Sequence, residues 1–185
     1  MTNTWLSVKW SEPAQVLKLV GKDPGDSAGH GVEGYYRMLV EARRYGEAVD
    51  YMAQALPRYQ AVVWAGRALN DLADPNAPRP PTLKAVLLWM QDPTDVRRRA
   101  AFDAAAGKDV GDAEKMAAFS VFFSGGSIAP DGQPPVAPPR EVAGRFAAAA
   151  VKAGVFEGGK DFDIRFLQAL KHAEVLAGER AESEQ

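Results

Sequence analysis

Residues 45–72 read YGEAVDYMAQALPRYQAVVWAGRALNDL, and their spacing decides the fold class. After Tyr45, the residues Ala48, Val49, Met52, Ala55 and Leu56 recur three and four positions apart, while Glu47, Asp50 and Gln54 fall on the other side. That period gives a helix one apolar face. Pro57 lacks an amide donor and crowds the turn before it. The spacing therefore ends one helix near Leu56 and begins the next with Pro57 at its first position. Ala61, Trp64, Ala65, Ala68, Leu69 and Leu72 carry the same period through the second helix. The expectation is a central helix pair against which the rest of the chain packs.

Working toward the N-terminus, Ser11-Glu12-Pro13 reads as a helix start capped by Ser11, with Val16, Leu17 and Val20 on its apolar side and Gly21 at its end. Trp5 and Trp10 predict that this end of the chain is docked on the body. Lys22 to Gly34 (KDPGDSAGHGVEG) holds four glycines and a proline and is read as a surface loop. Toward the C-terminus, a proline-rich crossing from Asp74 to Pro81 leads into a helix over Thr82 to Gln91. Asp92 is read as the cap of the next helix, with Pro93 opening it. Arg97, Arg98 and Arg99 follow. Successive helix residues lie about 100° apart, so three adjacent arginines make no single phosphate-binding face and are read as solvated or ion-paired side chains around an alanine-lined helix.

Further helices are expected over Ala113 to Phe123, closed by a glycine cap in Ser124-Gly125-Gly126-Ser127, and over Glu141 to Gly154. The stretch Ile128 to Pro139 between them is read as extended across the surface. The last helix shows Phe162, Phe166, Ala169, Leu170, Ala173 and Ala177 on one face. Only WLSVKW alternates apolar and polar residues, and alanine, the best helix former, dominates the apolar count. The predicted fold is all-α: a single-domain multi-helical array of helical hairpins, about seven or eight helices over residues 1–178, with a charged disordered tail at 179–185.

The chain has 185 residues, no cysteine and a net charge of -2. A domain of this length buries enough surface to fold without disulfides or metal. The missing cysteines exclude thiol nucleophiles and thiolate metal sites, and the near-neutral charge argues against nucleic acid or an anionic membrane as partner. MTNTWLSVKW has neither the basic opening nor the apolar run of a signal peptide, so the expected location is the cytoplasm.

Acid-base catalysis usually calls for a histidine or paired carboxylates, and the sequence offers two histidines. His30 lies in the glycine loop, and His172 flanks the apolar stripe of the last helix. Ser127 lacks the Gly-x-Ser-x-Gly context of a nucleophile elbow, and Asp161-Phe-Asp163 reads as a negatively charged helix start. No catalytic residue, metal ligand or cofactor site is predicted. Protein recognition is the expected role, with Trp5, Trp10, Tyr35, Tyr36 and His30 as candidate partner-binding residues. Two alternatives are a small-ligand-binding or enzymatic domain built on the loop around His30, and an immunity protein that blocks a toxin.

Two resemblances add to this reading. GYYRMLVEARR followed by YGEAVDYMAQAL resembles a tetratricopeptide helix pair, although no second copy follows at a period of about 34 residues. The segments EARRYGEAVDYMAQALPRYQAVVWA, WMQDPTDVRRRAAFDAA, AAFSVFFSGGSIAP and PPVAPPREVAGRFAAAAV, over residues 35–152, together resemble an uncharacterised bacterial all-helical family of unknown function. Their signature is Ala-Leu-Pro, Val-Trp-Ala, Asp-Pro-x-x-x-x-Arg and Phe-Phe-Ser-Gly-Gly-Ser. The resemblance brings no catalytic residues and implies at most an accessory role near type VI secretion; together with the helix-rich composition and the missing catalytic constellation, it makes a helical adaptor or chaperone-like protein the expected role. The loop at 22–34 and the last helix lie outside the segments that carry it.

Overall fold

The computed structural model describes residues 5–107 and 110–179. Among these residues the chain forms nine α-helices, one 3-10 turn and no strand. The helices are α1 (Pro13–Val20), α2 (Val32–Glu41), α3 (Tyr45–Ala55), α4 (Arg58–Leu72), α5 (Pro81–Gln91), α6 (Asp95–Ala104), α7 (Asp112–Phe122), α8 (Val142–Glu157) and α9 (Phe162–Gly178). The all-helical expectation holds, with nine helices among the described residues in place of the expected seven or eight. The tail expected at 179–185 lies, beyond Glu179, outside the described residues.

Several ends differ from the sequence reading, each for a local reason. The Gln15 side-chain oxygen accepts the amides of Ser11 and Glu12 at 3.1 and 3.2 Å, so Glu12 rather than Ser11 is the cap of α1. The glycine loop ends at Gly31, and Gly34 lies inside α2. Pro57 is the residue before α4, not its first: its φ of -51° suits a helix, but its ψ of 144° is extended. Thr94, not Asp92, caps α6, its hydroxyl accepting the Arg97 amide at 3.4 Å.

Extended backbone at both Leu56 and Pro57 turns the chain so sharply that α3 and α4 barely touch. The expected central pair is therefore a wedge, and α8 fills it, packing on α7, α4 and α3. Small residues on α8, including Ala143, Ala147, Ala150 and Gly154, let the helix axes approach closely. Gly144 marks the tightest place: a Cβ there would lie 2.6 Å from the Ala53 carbonyl oxygen at the end of α3. Trp64 is fully buried on α4 and donates its indole N–H to Ala169 O of α9 at 2.8 Å. Buried side chains from Trp5 to Ala177 belong to one cluster.

The segment before α1 works as a double cap. Ser7 donates its amide to Ala177 O at 3.1 Å and its hydroxyl to Leu176 O at 2.9 Å, near the end of α9. Trp10 donates its indole N–H to Gln54 O at 3.0 Å, at the end of α3. Carbonyls in the last turn of a helix have no partner within it, so these bonds dock the arm as the two tryptophans predict.

Candidate protein-binding face

The consecutive arginines resolve into three separate fates. Arg97 reaches back to Leu88 O at 2.8 Å and pairs with Asp92 at 3.2 Å, both at the surface. All three are ion-paired, which is one of the two fates expected for the run, but Arg98 is 3% exposed and so is not a surface side chain. Its guanidinium donates to Phe122 O at 2.6 Å, to Ser127 O at 2.8 Å and to Asp95 Oδ1 at 2.9 and 2.5 Å, with the Phe122 ring centroid 4.9 Å away. Arg99 meets Asp95 Oδ2 at 3.0 Å and the Ser127 and Ala129 carbonyls at 3.3 Å each. A planar fork of donors suits this convergence of carbonyls in a way that an ammonium does not. The hydrogen bond from Arg98 holds the Asp95 carboxyl below its ordinary range against the opposing effect of burial, with a further hydrogen bond from Arg99 acting in the same direction as Arg98.

The Asp-Pro-x-x-x-x-Arg and Phe-Phe-Ser-Gly-Gly-Ser segments thus meet in space, with Arg98 acting as a cap for α7 supplied from another helix. Phe123, not a glycine, is the C-cap residue of α7. Gly126 is needed further on. Its φ of 64° brings its backbone against Asp95 and Arg98, where a Cβ would lie 3.0 to 3.1 Å from their polar atoms. Ser127 Oγ then accepts the amides of Ala129 at 3.1 Å and Val136 at 3.0 Å, and Ile128 donates to Val136 O at 2.9 Å. The proline-rich stretch 128–139 therefore folds back on itself instead of running straight, which corrects the extended reading.

The stretch delivers Arg140 to a cleft of about 310 Å³ at the wedge between α3 and α4. Arg140 lies over the Trp10 ring, 4.5 Å from its centroid. Leu19, Ala55, Leu56 and Pro57 supply apolar walls, while Lys9, Arg58 and Arg140 supply the charge. Arg58 donates to Ser124 O at 3.3 Å, tying the cleft to the loop held by Arg98. Arg145, one turn into α8, donates to Leu19 O at 3.1 Å. Among the described residues, none of these four cations forms an ion pair with a carboxylate, whereas Arg37, Arg43, Arg44, Arg97, Arg98, Arg99 and Lys152 all do. The cleft is thus an aromatic and aliphatic floor with an unneutralised basic rim.

Of the five candidate residues from the sequence, only Trp10 reaches this cleft. Trp5, Tyr35 and Tyr36 are core residues, with Trp5 against Tyr36 and Tyr35 against Tyr51 at centroid separations of 5.2 Å. Burial and then the bond from its hydroxyl to Glu174 at 2.7 Å push the Tyr36 phenol well above its ordinary value. His30 is exposed, with its ring 6.2 Å from that of Tyr35. His172 lies 2.7 Å from Asp71 across α4 and α9. Among the described residues no group of three histidine, aspartate or glutamate side chains is placed to hold a metal ion. No described helix is long and apolar enough to cross a membrane. Sequence reasoning missed Arg58 and Arg140. Both directly follow a proline that leads into a helix, and that is the one local signal they share.

No match appears for this chain among curated proteins or solved structures. Residues 35–177 match the model of a family described as "Family of unknown function (DUF6931)", beyond the segments at 35–152 and through nearly all of α9, so the last helix is part of what the family shares. The chain belongs to that family of unknown function.

Proposed function

We propose that this protein is a non-catalytic helical adaptor or chaperone-like module that binds another protein through the cleft beneath Trp10 and Arg140. One observation carries the reading: apolar walls and a partly exposed tryptophan are ringed by Lys9, Arg58 and Arg140, none of which pairs with a carboxylate among the described residues. No carboxylate lines the cleft, whereas Arg37, Arg43, Arg44, Arg97, Arg98 and Arg99 are met by carboxylates of the same chain, and tryptophan and arginine are the side chains most often found at the energetic centre of protein interfaces. The tetratricopeptide-like reading of α2 and α3 belongs to the same proposal, since α3 ends in the cleft and helical hairpins of that style present such grooves.

The resemblance to relatives near type VI secretion genes makes components of a bacterial secretion apparatus the first partners to test. An immunity role against a toxin would use the same face, and only the partner distinguishes the two. The test is affinity purification from cells that encode the protein, with wild type and Arg140→Glu compared side by side. A stoichiometric partner held by the wild type and lost from the equally stable variant is the expected result. Identical partners from both proteins would place binding elsewhere, and a wild type that brings down nothing would remove the adaptor reading.

A further inference from the structure

The rim of the cleft identifies the kind of segment it accepts. We infer that the partner contributes an acidic stretch, with aspartate or glutamate on either side of an apolar residue, which enters over Leu56 and Pro57 and sets its carboxylates against Lys9, Arg58 and Arg140. The inference rests on the protein-binding reading given above. The charge is local rather than global: the whole chain is slightly acidic, yet every charged side chain lining this cleft is basic. Glu12 and Glu141 adjoin the site in sequence, and neither pairs with these cations.

Complementary charge at a rim steers encounter and rejects wrong partners, while the apolar floor provides most of the hold. Arg140 already lies over the Trp10 ring, so the forked donor is held in place before a carboxylate arrives and less is lost in fixing it. The end carbonyls of α3 would otherwise repel an acidic chain. Gln54 O is covered by the Trp10 indole, and Gly144 of α8 packs against Ala53 O. A polynucleotide fits less well. Its affinity grows with the number of phosphates neutralised along a track, and here a few cations ring one compact pocket whose aromatic face is occupied by Arg140.

The test is selection of a random-peptide phage library on the immobilised full-length protein, with subtraction on Arg58→Ala/Arg140→Ala. Peptides that survive subtraction are measured by fluorescence anisotropy in low and high salt. Expected are sequences rich in Asp and Glu around a Leu, Ile or Phe, weakened at least about tenfold by Lys9→Glu or Arg140→Glu and weakened again by salt. Neutral or basic peptides that still depend on Arg58 and Arg140 would overturn the acidic partner while leaving the cleft as a binding site. If subtraction removes every selected peptide, so that none depends on the two arginines, the cleft itself is overturned. Displacement of the acidic peptide by a single-stranded oligonucleotide at lower concentration than by the unlabelled peptide would assign the rim to nucleic acid and refute the inference. Thermal unfolding of each variant at the wild-type temperature guards these readings against loss of fold.

Discussion

Replacing Arg98 with methionine keeps a long apolar side chain and removes the guanidinium that joins α6 to the end of α7. The structure allows its cost to be worked out group by group. Phe122 O is left buried with no donor, which costs about 1–3 kcal/mol. Ser127 O keeps its longer bond from Arg99 at 3.3 Å and loses less, under about 1 kcal/mol. Loss of the cation over the Phe122 ring adds about 1 kcal/mol. Asp95 is well exposed and keeps Arg99 at 3.0 Å, so it adds nothing to the sum. The total is about 3 kcal/mol, and for a domain of this size that lowers Tm by roughly 6–12 °C.

The assay is urea and thermal unfolding followed by circular dichroism, run on the same substitution at each of the three adjacent arginines. Arg97→Met should change stability by less than about 0.5 kcal/mol, since both partners of Arg97 are at the surface. Arg99→Met should fall between the two. Arg98→Lys should recover part of the loss, because an ammonium cannot reach three separated acceptors. If Arg98→Met unfolds within about 0.5 kcal/mol of wild type, or if Arg97→Met costs as much, the claim that Arg98 holds the α7 end is wrong.

Other substitutions test the packing and the electrostatics. Gly144→Ala should destabilise by about 1–3 kcal/mol, because its Cβ would meet the immovable Ala53 carbonyl at 2.6 Å. Gly66→Ala, whose Cβ would meet the flexible end of Met90, should cost clearly less, and equal costs would show that α8 can shift away from α3. At Glu157, burial first, then Glu114 and Asp112, hold the carboxyl above its ordinary range against the Ala113 amide and Arg165. Its folded form therefore binds the proton more tightly than its unfolded form. The cost of ionising it is fully present above the folded value and fades as pH falls toward the unfolded one. Glu157→Gln keeps an acceptor for the Ala113 amide at 3.3 Å, so its Tm should exceed that of wild type at neutral pH and converge with it near pH ~4. A gap that widens on acidification would reverse the sign of this argument.

The helices were legible where period alone decides. Residues 45–72 carry two apolar stripes broken by one proline, and α3 and α4 follow them to within a residue or two. What the stripes do not encode is the partner of each face. A reader of 45–72 expects the two helices to pack together, but the extended dihedrals at Leu56 and Pro57 open them and let α8 enter from nearly ninety positions away. The arginine run shows the same limit at side-chain scale. Helical geometry correctly sends 97, 98 and 99 in three directions, but only the tertiary arrangement decides that one of those directions meets the carbonyls of Phe122 and Ser127. The cleft was the least visible feature, since Lys9, Arg58 and Arg140 come from three distant segments. Trp10 is a candidate, with Trp5, Tyr35 and Tyr36 among its companions, because it is large and aromatic. Three of those companions, Trp5, Tyr35 and Tyr36, satisfy the same chemistry inside the core, where such rings usually belong.

Hydrogen-deuterium exchange of the protein with and without its captured partner tests the binding face most directly. New protection should appear in the amides around Trp10, across Gln54 to Arg58 and from Arg140 to Arg145, with α5 and the outer face of α9 unchanged. Protection confined to α5, α6 or α9, with the Trp10 and Arg140 segments exchanging as in the free protein, would contradict the account.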